Sequence, residues 1–202
     1  MTPALAPSLG GATAARRSMF AAQRQLDALY RLNVSVKAWR FLLSVEEARE
    51  LLPESAPRTG LLAVEEAGEL WIGLYLDPAD LMDPDTVVEE TSHFLCLAWH
   101  AEQGRPVSAL TLELQSEVDR YLLARLDGRD PLAHFRDFDF GAWMDGPTRE
   151  RYELAHAAGH HYCRALDGRF PLRGDLPALL EELRGFYRAP ADAKLRRARA
   201  VA

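Results

Sequence analysis

Only two cysteines, Cys96 and Cys163, occur among the 202 residues, and they fall in segments that read as separate helices. That excludes a disulfide-stapled scaffold, and two isolated thiols in a reducing compartment behave as small hydrophobes. Also missing is any apolar run approaching the roughly 20 residues that span a bilayer. Met1 to Thr13 lacks the basic-then-apolar order of a secretory leader, so a cytoplasmic protein is expected. Positive charge is in deficit, with 24 Lys and Arg against 30 Asp and Glu and a formal charge of -6. No phosphate-neutralising cluster or basic amphipathic face dominates, so neither nucleic acid nor a membrane surface is expected as a partner. The chain also lacks a phosphate-cradling glycine loop, a Gly-x-Ser-x-Gly elbow and a Cys-His pair at informative spacing. What remains is a peptide, protein or small-molecule partner.

What is present is enough for one core: 48% of the residues are hydrophobic and 27% charged, a balance and length that suit a single globular domain. The expected organisation is a disordered N-terminus over 1–13, a single α+β domain over 14–187 and a frayed basic C-terminal tail over 188–202, which holds Lys194, Arg196, Arg197 and Arg199. Helical periodicity predicts a first helix from Ala14 to Leu32. The alternation of Val34, Val36 and Ala38 predicts a strand within Asn33 to Leu43, and Ser44 with Glu47 forms a capping-box signature for a short helix. Leu61–Val64 and Trp71–Leu76 flank the turn dipeptide Ala67-Gly68 and predict a hairpin. Asp83-Pro84 opens a helix that Gly104 closes. Further helices are expected over Ser108–Leu126, Pro147–Leu166 and Leu176–Tyr187, with the aromatic stretch His134 to Trp143 as a loop laid on the core. Asp137 and Asp139 read there as loop-capping groups. The fold class is therefore α+β, a small antiparallel sheet packed against a layer of helices.

The helix from Pro84 to Gln103 carries the chemistry. Val87, Val88, Thr91, Leu95, Ala98 and Trp99 project to one side, and Glu89, His93, Cys96 and His100 to the other. Because Phe94, Cys96 and Leu97 interrupt that second side, the helix is expected to be central, and ionisable groups on a central helix need partners. Glu89 and His93, four apart, can ligate one ion from a single face. Glu113 and Glu117, also four apart, lie on the next helix beside Leu110, Leu114, Val118 and Tyr121.

The segment Glu89-Glu90-Thr91-Ser92-His93 resembles the His-Glu-x-x-His motif of the zincin metallopeptidases, with Glu89 in place of the first histidine. The resemblance covers about Glu69 to Leu123, including a strand before the motif helix and, as in the gluzincin branch, a glutamate on the following helix. It implies zinc or another divalent transition metal held by Glu89, His93 and Glu113 or Glu117, with Glu90 as the general base. It implies a hydrolase of peptide or amide bonds, with His156 or His160 from a later helix steadying the developing oxyanion. The strand Trp71–Leu76 would pair with an extended substrate by edge addition.

Other readings need no metal. Carboxylates at Glu89 and Glu90 suit the first turns of a helix because of its dipole, His93 alone suits a hydrogen-bonded core, and Glu113 and Glu117 suit an edge paired with Arg120. Glu153, His156 and His160, with His161 adjacent, suit a solvated face. Two rival functions follow: a non-catalytic zincin-like scaffold acting as a protein-binding or regulatory module, and a di-metal carboxylate protein built from the Glu90/His93 and Glu153/His156 triplets.

Overall fold

The computed structural model describes residues 9–52, 59–136 and 144–200. Helix α1 (Leu9–Tyr30) is followed by α2 (Val45–Leu51), the strands β1 (Gly60–Glu66) and β2 (Glu69–Tyr75), then α3 (Pro84–Glu102), α4 (Ala109–Leu126), the short α5 (Ala133–Arg136), α6 (Gly146–Arg169), α7 (Leu176–Arg188) and α8 (Ala191–Ala200). Helices dominate, and the strands form a two-stranded antiparallel sheet, an α+β arrangement. Among the described residues no helix is long and apolar enough to cross a membrane. Both cysteines are buried free thiols.

Local chemistry explains the element ends. The Ser44 hydroxyl accepts from Glu47 N while the Glu47 carboxylate accepts from Ser44 N at 2.7 Å, the reciprocal capping box that starts α2. Asp83 caps α3, with Pro84 at its first position, and Gly104 leaves it with φ 61°. In the hairpin, Ala67 and Gly68 adopt φ 52° and 82°, the positive-φ pair that a two-residue turn of matching twist requires. Glu66 and Glu69 close the ladder on either side.

The helices stack in the order α1, α3, α4, α6, with α8 on α6, α7 on α1 and β1 on α3. One cluster of buried side chains runs from Ala15 to Ala198. The α3 helix is buried at every position from Glu90 to Cys96, as the expectation of a central helix requires. Close approach of α4 and α6 depends on Gly159, where an added Cβ would lie 2.9 Å from the Glu117 Cβ.

Four sequence expectations need correction. The stretch after α1 is not a strand: it contains a 3-10 turn at Ala38–Arg40 and one isolated bridge from Leu42 to Leu74. Over residues 36–38 the backbone is satisfied by a side chain instead of a ladder, because Gln23 on α1 donates to Val36 O at 2.8 Å and accepts from Ala38 N at 2.9 Å. Residues 9–13 are helical, with Gly10 and Gly11 inside α1 despite the roughly 1 kcal/mol that glycine costs a helix relative to alanine. The 188–202 segment is not frayed over its described part. Helix α8 buries Lys194 and Ala198, one turn apart, and leaves Arg196, Arg197 and Arg199 outside, a short stripe that the basic composition conceals. Finally, β2 is not the free edge. Leu43 N donates to Leu74 O and Leu74 N to Phe41 O, both at 2.8 Å, so β2 is flanked on both sides and the open edge among the described residues belongs to β1. The Asp137 and Asp139 reading lies outside the described residues.

Candidate metal centre

Three adjacent helices each present a pair of polar side chains four residues apart to a shared interior: Glu89 and His93 on α3, Glu113 and Glu117 on α4, Tyr152 and His156 on α6. That spacing places both members of a pair on one helix face. Glu89, His93 and Glu113 come together, each offering one ligand atom with all three atoms within 4.8 Å of one another. His93 Nε2 lies 3.2 Å from Glu113 Oε2, close to the roughly 3.3 Å between two ligands held tetrahedrally at zinc bond lengths. The contact lacks hydrogen-bond geometry, leaving the buried His93 Nε2 without a hydrogen-bond partner. An imidazole nitrogen and a carboxylate oxygen converging in this way fit a divalent cation once the imidazole gives up its proton, and this buried group could bind a metal ion.

Glu90 stands beside the group without belonging to it. Its Oε2 is 3.5 Å from His93 Nδ1 and is buried without a hydrogen-bond partner. Burial pulls the His93 pKa down, but Glu113 and Glu90 outweigh burial and hold it well above the usual imidazole range. Burial raises Glu89 to about 7, against the lowering influence of Arg120 and His93. Tyr152 faces the same carboxylates. Burial and then Glu113, Glu89 and Glu90 push its phenol well above its usual range, and it hydrogen-bonds Glu113, so it keeps its proton.

Glu117 is drawn elsewhere. Its Oε1 is 2.8 Å from His156 Nδ1, and its Oε2 is 3.2 Å from His134 Nε2 and 3.7 Å from Arg120 Nη1. Burial would raise its pKa, but His134, His156 and Arg120 together bring it to about 2. Arg120 Nη1 also lies 3.3 Å from Glu89 Oε2, so one guanidinium links the two clusters. Of the two glutamates on α4, Glu113 joins the group that could hold an ion, and Glu117 lies one turn further along. His156 is held by Glu117 and by Phe135 O at 3.2 Å, and His160 stacks on Phe135 with ring centroids 5.0 Å apart. His161 is exposed. Glu153 is exposed and pairs with Arg149 at 2.9 Å, so the Glu153/His156 triplet does not converge on an ion.

Behind α3 a second buried network fixes the motif. Asp119 accepts from Ser92 Oγ at 2.6 Å, Tyr30 Oη at 2.5 Å and Gln115 Nε2 at 2.8 Å, and Lys194 Nζ donates to Gln115 Oε1 at 2.8 Å. Burial raises Asp119 to about 6 against these donors.

A groove of about 340 Å³ opens on the site. Glu90, His93 and Glu113 form its floor, with β1 and the α6 residues Arg151 and Tyr152 around it. A larger depression of about 700 Å³ between α6, α7 and α8 lies at Tyr162, Arg169 and Arg197, away from these groups, and size alone does not make it the chemical site. Sequence reasoning missed Tyr152, Arg151 and His134. The repeated four-residue spacing on successive helices was the available signal for Tyr152 and His156.

No family model matches this chain, and neither the curated proteins nor the solved structures contain a match to it.

Proposed function

We propose that this protein is a metal-dependent hydrolase of peptide or amide bonds, with a minimal zincin-like centre. The observation that carries the reading is Glu90, a buried carboxylate that faces the groove beside the Glu89–His93–Glu113 group yet stands outside it. Glu89, His93 and Glu113 would hold zinc or another divalent transition ion, which supplies Lewis acidity toward a carbonyl and a water when bound. Glu90 accepts the proton of the attacking water and returns it to the departing amine. Tyr152 keeps its phenolic proton among the carboxylates and is placed to donate to the carbonyl oxygen as charge develops there. Arg120 lowers the Glu89 pKa against the effect of burial, and Glu117 with His134 and His156 fixes Arg120 in turn. The open edge of β1 lines the groove through Gly60, Leu61 and Ala63, which suits an extended peptide added as a strand.

A non-catalytic binding scaffold is the second reading. It is favoured by the 3.3 Å contact between Arg120 and Glu89, which gives Glu89 a partner without any ion.

The deciding experiment measures metal content by plasma mass spectrometry and cleavage of a quenched-fluorescence peptide library. Wild type, His93→Ala, Glu113→Ala and Glu90→Gln are compared, all without a histidine tag. The hydrolase reading expects near-stoichiometric metal in wild type and Glu90→Gln, loss in the other two, and cleavage by wild type alone. Equal cleavage by wild type and Glu90→Gln removes the mechanism, and a metal-free, equally stable wild type supports the scaffold.

A further inference from the structure

We infer that Arg151 is a carboxylate anchor, and that the groove accepts substrates ending in a free carboxylate next to an apolar side chain. The inference rests on the hydrolase reading for its reaction, but its binding component stands on the groove itself.

Among the described residues, Arg151 is the only lysine or arginine lining the groove. Its side chain is 32% exposed, so it reaches solvent and groove together. Its Nε is buried without a hydrogen-bond partner, and the nearest ion-pair contact, Glu113 Oε1 at 3.7 Å, is too long to satisfy it. The guanidinium packs over the Tyr152 ring at 5.6 Å, which orients the planar fork. A planar guanidinium fork of fixed geometry matches a carboxylate, which accepts two parallel hydrogen bonds from it.

The neighbouring wall is apolar, formed by Leu61, Leu97, Val107 and Leu112. An aliphatic side chain fits that wall, while a second charged side chain would find no partner there. Position relative to the reactive group follows from Glu113, whose two oxygens face Arg151 Nε at 3.7 Å and His93 Nε2 at 3.2 Å. One carboxylate spans the gap, so anchor and ligand group lie within one or two residue lengths at about 3.8 Å each. A carboxylate seated on Arg151 therefore brings the last peptide or acyl-amide bond of the substrate to the Glu89–His93–Glu113 group. The groove, at about 340 Å³, accommodates a residue or two beyond that bond. The expected class is short peptides and N-acyl amino acids with an apolar terminal residue.

The test is calorimetric binding of N-acetyl-leucine and N-acetyl-leucinamide to the zinc-loaded full chain. The expected result is acid binding at least ~tenfold tighter than amide binding, as a charge-assisted bidentate pair provides. Arg151→Gln should remove that preference and Arg151→Lys should keep part of it. Equal affinity for acid and amide in wild type, a preference unchanged in Arg151→Gln, or binding of neither compound overturns the anchor. Cleavage of acetyl-alanyl-leucine and of its amide is followed in parallel. An acid preference in binding with no cleavage of either peptide leaves the anchor standing and removes the hydrolase reading. Cleavage of both at equal rates does the reverse.

Discussion

Glu113 Oε2 and His93 Nε2 face each other at 3.2 Å across the α3–α4 interface, a separation that suits either a proton or an ion between them. With the proton, His93 is a cation between Glu113 and Glu90. With the ion, its nitrogen must be neutral. Because these carboxylates hold the His93 pKa well above the usual range against the effect of burial, metal binding at neutral pH displaces a proton. Metal affinity should therefore rise about tenfold per pH unit above the Glu89 pKa of about 7, and more steeply below it, until the His93 pKa is reached. Competition with a chromophoric chelator across pH 6 to 9 measures the slope, and a flat profile would show that His93 is not a ligand.

Glu117 controls acid stability. Its folded pKa of about 2 lies below the ordinary value of 4.5, so its contribution is fully present above the unfolded pKa and is lost as pH falls from about 4.5 toward 2. A carboxylate held that low is worth on the order of 3 kcal/mol. His156→Ala should shrink that window and move the acid-unfolding midpoint upward, measured by far-ultraviolet circular dichroism. An unchanged midpoint would contradict the assignment.

Arg120 serves two carboxylates at once. Replacing it by Gln leaves Glu89 and Glu117 without their shared cation, a change expected to cost on the order of 3 kcal/mol. Since burial raises the Glu89 pKa to about 7 even with Arg120 lowering it, the variant should hold Glu89 protonated at neutral pH. Metal affinity should then fall by about tenfold or more. Thermal melts and chelator competition separate the two effects, and retention of both properties would reduce Arg120 to a bystander.

Lys194 ties α8 to the core. Burial lowers its pKa, and Cys96 and Asp119 partly restore it. Lys194→Ala removes a buried cation and its packing together, with an expected loss of about 3 to 5 kcal/mol. Lys194→Met should recover much of that by filling the space between Phe186 and Tyr187. Urea unfolding of both variants makes the comparison, and equal losses would mean that charge, with no packing component, dominates.

Signals that act over a few residues were legible in the sequence: the Ser44/Glu47 box, the Ala67-Gly68 turn, the Asp83-Pro84 start and the Glu89/His93 spacing all act within one turn or one loop. What the sequence hid depends on contacts between distant segments. Gln23 replaces a ladder partner for residues 36–38, and no local pattern announces that. The choice between Glu113 and Glu117 needed the placement of His134 and His156, which lie on other elements. Helix α8 escaped notice because a single lysine and a single alanine make its buried stripe, and lysine is read as a surface residue.

The missing side chain of Gly159 has a practical consequence for anyone transplanting this arrangement. The reach of Tyr152 and His156 toward the α4 glutamates is set by how near two helix backbones come, and at that crossing a methyl group would collide with Glu117 at 2.9 Å. Copying only the polar side chains onto another helical pair would therefore reproduce the cast and lose the stage. The portable unit is the set of carboxylates and histidines together with one empty position that keeps them in range.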